Sequence, residues 1–345
     1  MLNEGVSAMI WYQEKSNDDI MVSTRIRLAR NLKKYPFPGA MTVEQAQKAA
    51  AEIRDSVMNG NSTLAQDFRV IDMEKVSERE KQVLYEKHLI SPEMMNRKVG
   101  SVLLGGDESM SVMLMEEDHI RLQVILGGFN LDRAWETADR VDDVLEEHLE
   151  YAFDDEFGYL TSCPTNTGTG LRASVMMHLP ALTITDNIAR VINSAGQLGI
   201  AVRGMYGEGS KAYGNLYQIS NQVTLGMPET DIISKLKNVA SQIADREREA
   251  RKVLAEQNGD QLADRLWRSY GTLKYARSLS SQEAKALISD VIFGKNMNII
   301  DAAPDNMWEV LVNTEPACVA QHIDGEPTPG ARDKMRAQII RGSLC

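Results

Sequence analysis

The sequence predicts an α+β protein in two parts: a strand-rich part over residues 1–227 and an all-helical part over 228–345. Two observations carry this. Between about residue 20 and residue 225, short segments alternate apolar and polar residues with a period of two, and glycine-rich turns separate them. From Pro228 onward the alternation stops and long charged segments of helical period take over. A set of strands followed by a set of helices reads as α+β.

Taken in order, Val22-Ser23-Thr24-Arg25-Ile26-Arg27-Leu28 places Arg25 and Arg27 on one strand face and Thr24, Ile26 and Leu28 on the other. Two like charges there are either solvated or matched by a polyanion, because desolvating them without a partner is costly. Thr42 is the N-cap of a helix running to Met58, with Glu44, Glu52 and Arg54 toward water. A second helix spans about Ser77 to Lys87 and ends at His88-Leu89-Ile90-Ser91-Pro92, where His88 reads as a cap or surface group. Ser109–Met115 and Ile120–Ile125 read as a hairpin whose acidic tip, Glu116-Glu117-Asp118-His119, is expected in solvent. Leu131–Leu149 is a helix by the spacing of Trp135, Ala138, Val141, Leu145 and Leu149, with Asn130 as its cap.

An apolar run then ends at Cys163, and Pro164, Asn166, Gly168 and Gly170 build a turn. A half-buried strand follows, with Ala173, Val175, Met177 and Leu179 on one face and Arg172, Ser174 and His178 on the other. Cys163 reads either as a small core residue or as a reactive thiol. Ile184–Leu198 is a helix closed by Gly199. A strand from Ile200 leaves through a glycine-rich loop, and Tyr217–Thr224 returns as a strand. In the second part, helices are expected over Asp231–Glu256 and Asp264–Arg277, after a capping box at Ser280-Ser281-Gln282-Glu283, and after Thr328-Pro329.

The net charge of −11 makes a nucleic-acid-coating surface a poor reading. Three cysteines without a Cys-x-x-Cys pair (Cys163, Cys318 and Cys345) argue for a reducing compartment, against a disulfide frame and against a zinc site. With no signal-peptide core and no membrane-length apolar run, the expectation is a cytoplasmic protein with no membrane partner.

Two glycine motifs fail on their context. Gly204 to Gly209 is followed by Ser210-Lys211, the reverse of the order a phosphate loop needs. Gly168-x-Gly170-x-x-Ala173 leads into a strand where a dinucleotide fingerprint requires a helix. What remains is Arg25, Arg27, Arg121, Arg172 and Arg203, each on a predicted strand or at its end, with Glu117 and Glu208 within five residues of two of them. Guanidinium forks bind phosphate oxygens in two-point fashion, so the arginines suit a nucleoside triphosphate. The carboxylates would repel phosphates and suit a cationic acceptor that must be aligned and deprotonated.

In this order, Ser-Thr-Arg-Ile-Arg (23–27), Glu-Glu-Asp-His-Ile-Arg (116–121), Cys-Pro-Thr-Asn-x-Gly-Thr (163–169), Arg-Ala-Ser-Val (172–175) and Arg-Gly-x-x-Gly-Glu (203–208) resemble the phosphagen kinases over roughly residues 20–225. The resemblance implies an antiparallel sheet flanked by helices and Mg-ATP-dependent phosphorylation of a guanidino nitrogen, with Mg2+ held mainly through the nucleotide and no protein metal site. It implies nucleotide contacts from Ser23-Thr24-Arg25-Ile26-Arg27, His88, Arg121, Arg172-Ala173-Ser174-Val175-Met176 and Arg203-Gly204-Met205-Tyr206-Gly207-Glu208. Glu117 and Glu208 would hold the guanidinium, one of them as base, and Cys163 would lie beside it.

Family members acting on free arginine or creatine carry a helical domain before the first arginine motif, whereas 22 residues precede Ser23 here. That difference, the extra helical part and Arg-Asp-x-x-Arg-Ala at 332–337 resemble the bacterial protein-arginine kinases of the McsB type. The resemblance implies a phosphoarginine pocket of Arg332, Asp333, Arg336 and Ala337; read from charge patterning alone, the same residues are a solvated helix face. It also implies substrates with exposed arginine, an activating adaptor, a stress-gene repressor and a Clp-type protease as partners, a homo-oligomer, and a role in protein quality control. The alternatives are a kinase for a free guanidino metabolite and a non-catalytic regulatory binder.

Overall fold

The computed structural model describes residues 10–14, 18–59, 68–204 and 213–344. Its strands form an eight-stranded sheet in the order β2-β3-β4-β5-β1-β8-β10-β9 and a small two-stranded one, β6-β7. The strands are β1 (Met21–Arg30), β2 (Phe68–Asp72), β3 (Ser101–Gly105), β4 (Met110–Leu114), β5 (Ile120–Gly127), β6 (Phe153–Asp154), β7 (Gly158–Tyr159), β8 (Leu171–His178), β9 (Ile200–Gly204) and β10 (Leu216–Asn221). Two compact units divide the chain. One gathers 1–14, 23–174 and 221–236; the other gathers 15–22, 175–220 and 237–345.

In the first unit β2, β3, β4, β5 and β1 pair antiparallel in succession. The expected alternation of β1 holds: Thr24, Ile26 and Leu28 are fully buried while Arg25 and Arg27 are partly exposed. Helix α1 (Val43–Asn59) is capped as expected, Thr42 Oγ1 accepting from Gln45 N at 3.2 Å. Helix α2 (Glu78–Glu86) begins at a full capping box of Ser77 and Glu80. Helix α3 (Pro92–Met95) is a single turn capped by Ser91. Helix α4 (Leu131–Glu146) buries Leu131, Ala134, Ala138, Val141 and Leu145. Asn130 does not cap it with its side chain; the amide donates to Gly127 O at 2.6 Å instead, closing the turn that leads in.

Two expectations fail here for one reason. The tip of the β4–β5 hairpin is not in solvent, since Glu116, Asp118 and His119 are buried. Strand β8 is not half-buried: Ser174 and His178 are as inaccessible as Ala173, Val175 and Met177. Both lie where further chain covers the face that the local pattern assigns to water, and neighbouring sequence carries no record of that cover.

The second unit holds α5 (Pro180–Ile184), α6 (Ile188–Gln197), most of α7 (Glu229–Tyr275), α8 (Ser281–Asn296), α9 (Met307–Asn313), α10 (Pro316–Ala320) and α11 (Pro329–Ser343). The helix expected over Ile184–Leu198 begins later, as α6 at Ile188, because α5 ends at Ile184 and the chain turns through Asp186 at φ +56°. Gly199 ends α6 at φ +68°, as its position predicts. The helices expected over 231–256 and 264–277 are one, kinked at Asn258 (φ −140°). Ser280 and Thr328 accept from Glu283 N and Ala331 N at 3.2 and 3.3 Å, and so start α8 and α11 where their sequences place them. Glu247, fully buried on α7, accepts from the amides of Ala181 and Leu182 at 3.0 and 2.9 Å and from Arg251 at 3.0 Å. A carboxylate thus closes the start of α5.

Candidate active site

The register of β1 against β5 sets Ala29 opposite Arg121, Arg27 opposite Gln123 and Arg25 opposite Ile125. Opposed residues in an antiparallel pair share a face, so Arg25, Arg27 and Arg121 project from the same side of the sheet. Arg172 is on β8, the next strand beyond β1. Burial, then the charges of Arg121 and Arg172, pull the pKa of Arg25 down to about 10. Burial and the charges of Arg25, Arg121 and Arg172 pull Arg27 well below its ordinary value, against Glu116. The Nε of Arg27 is buried without a hydrogen-bond partner. Four cations within each other's field are a poor arrangement for a protein alone and a good one for a polyanion.

The turn from β4 to β5 supplies the acids, each with a different task. Glu116 is fully buried; it takes two hydrogen bonds from Arg121 Nη1 (2.7 and 2.9 Å), one from Ser91 Oγ and one from the Glu117 amide (2.6 Å). Burial alone would raise its pKa, but Arg121, Ser91 and that amide hold it below the usual carboxylate value. Asp118 accepts from Asn31 Nδ2 at 2.6 Å and from Ser162 N at 2.7 Å. His119 Nδ1 accepts from Leu32 N at 2.9 Å, so its Nε2–H is left to donate to Pro36 O at 3.0 Å. Burial lowers its pKa, and the ring is a neutral strut. Glu117 alone is left open, its side chain 37% exposed. Burial first, then Asp118, Glu116 and Glu93, raise its pKa against the pull of Arg121. A carboxylate with raised affinity for a proton, beside a cluster of arginines, is what a base for a guanidinium nitrogen requires.

The loop carrying Cys163 is tied to this turn. Ser162 donates through Oγ to Glu117 O at 2.8 Å and through its amide to Asp118. Cys163 is partly exposed, its Sγ 3.0 Å from Thr165 Oγ1. Gly168 and Gly170 take φ of +115° and +64°; a Cβ on Gly168 would meet Thr224 O at 2.2 Å, and one on Gly170 would meet Ala29 O at 2.6 Å. The loop therefore seats against the 224–225 segment at Gly168 and against β1 at Gly170 only because these two residues lack side chains.

The remaining predicted residues divide. His88 sits at φ +62°, its ring 5.7 Å from that of Trp11 and its carbonyl accepting at 2.8 Å from Gln123, the residue opposite Arg27. Ser23 lies on the arginine side of β1; Thr24 and Ile26 lie on the other side, where Thr24 Oγ1 donates to Gly128 O at 2.8 Å. Ala173, Ser174, Val175 and Met176 are buried along β8. Arg203 and Gly204 close β9 in the second unit, and Met205, Tyr206, Gly207 and Glu208 lie outside the described residues. On α11 Arg332 and Asp333 are partly exposed, but Arg336 is buried, with hydrogen bonds to Thr314 O (2.9 Å), Leu279 O (2.8 Å) and Asp333 (2.6 Å); Ala337 is buried beside it. Glu116, Asp118, His119 and Asn31 join Glu117 in this arrangement; the clustering of Glu-Glu-Asp-His is a signal in the sequence for the first three, and Asn31 carries none.

Residues 49–250 match the family described as ATP:guanido phosphotransferase, C-terminal catalytic domain, and residues 259–345 match the protein-arginine kinase McsB C-terminal domain. The protein-arginine kinase of Brevibacillus brevis is 49% identical over 96% of this chain and 93% of that one; that of Bacillus subtilis is 45% identical over 97% and 93%. Among solved structures, a lombricine kinase aligns with TM-score 0.61 at 23% identity over 75% of each chain. Taurocyamine kinase from Schistosoma mansoni aligns with TM-score 0.59 at 24% identity, over 72% of this chain and 37% of that one. The two structural likenesses speak to the fold, and the relatives to the activity: the chain belongs to the ATP:guanido phosphotransferases and, within them, to the protein-arginine kinases.

Proposed function

We propose that the chain transfers the γ-phosphoryl group of Mg-ATP to arginine side chains of proteins, with the phosphates held by Arg25, Arg27, Arg121, Arg172 and Arg203. The observation that carries this reading is the charge imbalance on one face of the sheet, where Arg27, its Nε buried without a hydrogen-bond partner, lies in the field of Arg25, Arg121 and Arg172. Mg2+ travels with the nucleotide oxygens. Glu117 and Glu208 hold the acceptor guanidinium beside Cys163. A free guanidinium does not give up its proton near neutrality. Glu117 therefore takes the proton as the nitrogen–phosphorus bond forms and the bond from phosphorus to the β,γ-bridging oxygen breaks, releasing ADP. Binding ATP also relieves the repulsion among the arginines, so nucleotide affinity and apo-state strain are linked.

Functionally the division is a catalytic part, 1–227, and a helical part, 228–345, in which Arg332, Asp333, Arg336 and Ala337 bind phosphoarginine. Arg332 meets the phosphate, while Arg336 holds Asp333 in place through their hydrogen bond. The proposed setting is cytoplasmic quality control, with an activating adaptor, a stress-gene repressor and a Clp-type protease as partners of a homo-oligomer. The test is incubation with Mg-ATP and an unstructured arginine-rich protein, followed by mass spectrometry for acid-labile phosphate. Phosphate on protein arginine is expected in the wild type and absent in Glu117→Ala. Phosphate on free arginine alone would overturn the substrate class.

A further inference from the structure

A groove of about 260 Å3 opens beside the turn that carries Cys163, lined by the β6–β7 hairpin, by Gly168 and Thr169, and by the 224–229 segment. Its apolar side chains face water: Phe153 is 55% exposed, Phe157 46% and Leu225 48%, and neighbouring Val223 is 44% exposed. Exposed apolar side chains scattered singly need no explanation, but a group of them on one small stretch marks a binding surface. The rim is acidic. Glu156 and Glu229 line the groove, Asp154 and Asp155 directly precede Glu156 in the hairpin, and residues 151–169 contain no lysine or arginine.

The groove is preformed. Asp154 Oδ1 accepts from the amides of Glu156 and Phe157 at 2.9 and 3.0 Å, which fixes the hairpin turn. The Phe153 ring stands edge-on to Tyr159 at 5.2 Å, and Tyr159 lies against the Arg30 guanidinium at 3.6 Å. Little ordering is left to oppose binding. It is also joined to the site. Thr224 Oγ1 donates to Thr165 O and Thr167 O at 3.0 and 2.7 Å, and Thr169 N donates to Thr224 O at 2.9 Å. One turn, 163–169, thus serves both the groove and Cys163.

We propose that this groove docks an extended segment of the protein substrate. An apolar side chain enters between Phe157 and Leu225, basic neighbours meet Glu156 and Glu229, and the arginine to be phosphorylated reaches the site beyond the shared turn. Charge complementarity selects this occupant: the rim rejects acidic chain, and a segment offering apolar and basic side chains together in extended form is unfolded protein. The proposal rests on the protein-arginine reading and adds what the enzyme recognises besides the acceptor.

The test uses the full chain and two synthetic peptides with one acceptor arginine, one otherwise Gly/Ser and one with a Leu-Lys block on either side. Wild-type kcat/KM is expected to favour the block peptide by roughly 10-fold, the scale of one apolar side chain in a pocket. Phe157→Ser with Leu225→Ser is expected to remove that preference through KM and leave the Gly/Ser peptide unchanged. Equal rates in the wild type, or a preference that survives the double substitution, would overturn the proposal. A change in oligomer mass with the preference intact would assign the groove to a second copy and overturn it equally. Lack of transfer to both peptides would break the protein-arginine reading instead. The groove is then decided by a block peptide carrying benzoylphenylalanine for leucine: adducts within 153–159 or 223–229 support docking, and adducts elsewhere refute it.

Discussion

Arg27 and Arg30 are three residues apart on one strand and have opposite lives. Arg30, 2% exposed, is satisfied: Nε and Nη2 donate to Asp142 at 3.0 and 2.6 Å, and Nη1 donates to Ala29 O and Thr169 O at 2.9 Å. Arg27 has a buried Nε without a partner and three cations around it. An arginine on a strand is therefore no sign of function in itself. The difference lies in what meets it. Arg30, on the opposite face, meets a carboxylate of α4, the carbonyl of Ala29 on its own strand and that of Thr169, whereas Glu116, the carboxylate whose field reaches Arg27, is already bonded to Arg121. Arg336 belongs with Arg30, since it is buried and its Nε and Nη1 donate to Thr314 O, Leu279 O and Asp333.

The comparison breaks most visibly in stability. Arg30→Ala leaves Asp142 buried with only the Tyr151 hydroxyl, 3.1 Å away, and should cost about 3–5 kcal/mol in denaturant unfolding, as expected for removing one member of a buried pair. A loss below about 1 kcal/mol would mean that Arg30 is not a structural residue. Arg27→Ala should leave apo stability unchanged or raised, because it removes repulsion, while lowering turnover by about 10²–10³-fold, the scale of a lost electrostatic clamp. A destabilisation like that of Arg30→Ala would erase the distinction between the two faces.

The acidic turn sharpens the contrast at smaller scale. Glu117→Gln keeps the shape and removes the proposed base, and should lower turnover by about 10²-fold with ATP affinity retained. In the wild type the acid limb of the pH–rate profile should lie above the ordinary glutamate range, because the pKa of Glu117 is raised by burial and by Asp118, Glu116 and Glu93. An acid limb at or below that range would assign the proton transfer to another group.

What the sequence made legible and what it hid follow from range. The alternation that put Arg25 and Arg27 together is local, as are the caps at Thr42, Ser280 and Thr328, and all hold. The burial of the acidic tip is not local: Ser91 lies 25 residues from Glu116, Asn31 lies 87 from Asp118, and Ser162 lies 44 from Asp118. Arg30 went unread because it falls off the Arg25–Arg27 period onto the other face, where its partner is 112 residues away. Arg336 looked like half of a surface pair because four-residue spacing gives only the helix face, and α11 turns that position toward Thr314 and Leu279. Glu208 lies outside the described residues, so its role still rests on the motif around it.

Glu116 and Glu117 give the finest comparison, two adjacent carboxylates displaced in opposite directions. Glu116 is held below its unfolded value by Arg121, Ser91 and the Glu117 amide despite burial. The stability it contributes is present above the unfolded carboxylate pKa and is lost as pH falls through the folded one. Glu117 is raised, so between its unfolded and folded values the native state binds more proton than the unfolded state. Stability therefore falls as pH rises through that window. Stability measured against pH for the two isosteric variants should then diverge. Glu116→Gln loses stability relative to wild type at neutral pH, and the deficit shrinks in acid. Glu117→Gln is equal to wild type in acid and gains on it as pH rises, by under about 1 kcal/mol because the 37% exposed side chain is screened by solvent. Parallel curves for the two variants would mean that the turn does not separate a structural carboxylate from a catalytic one.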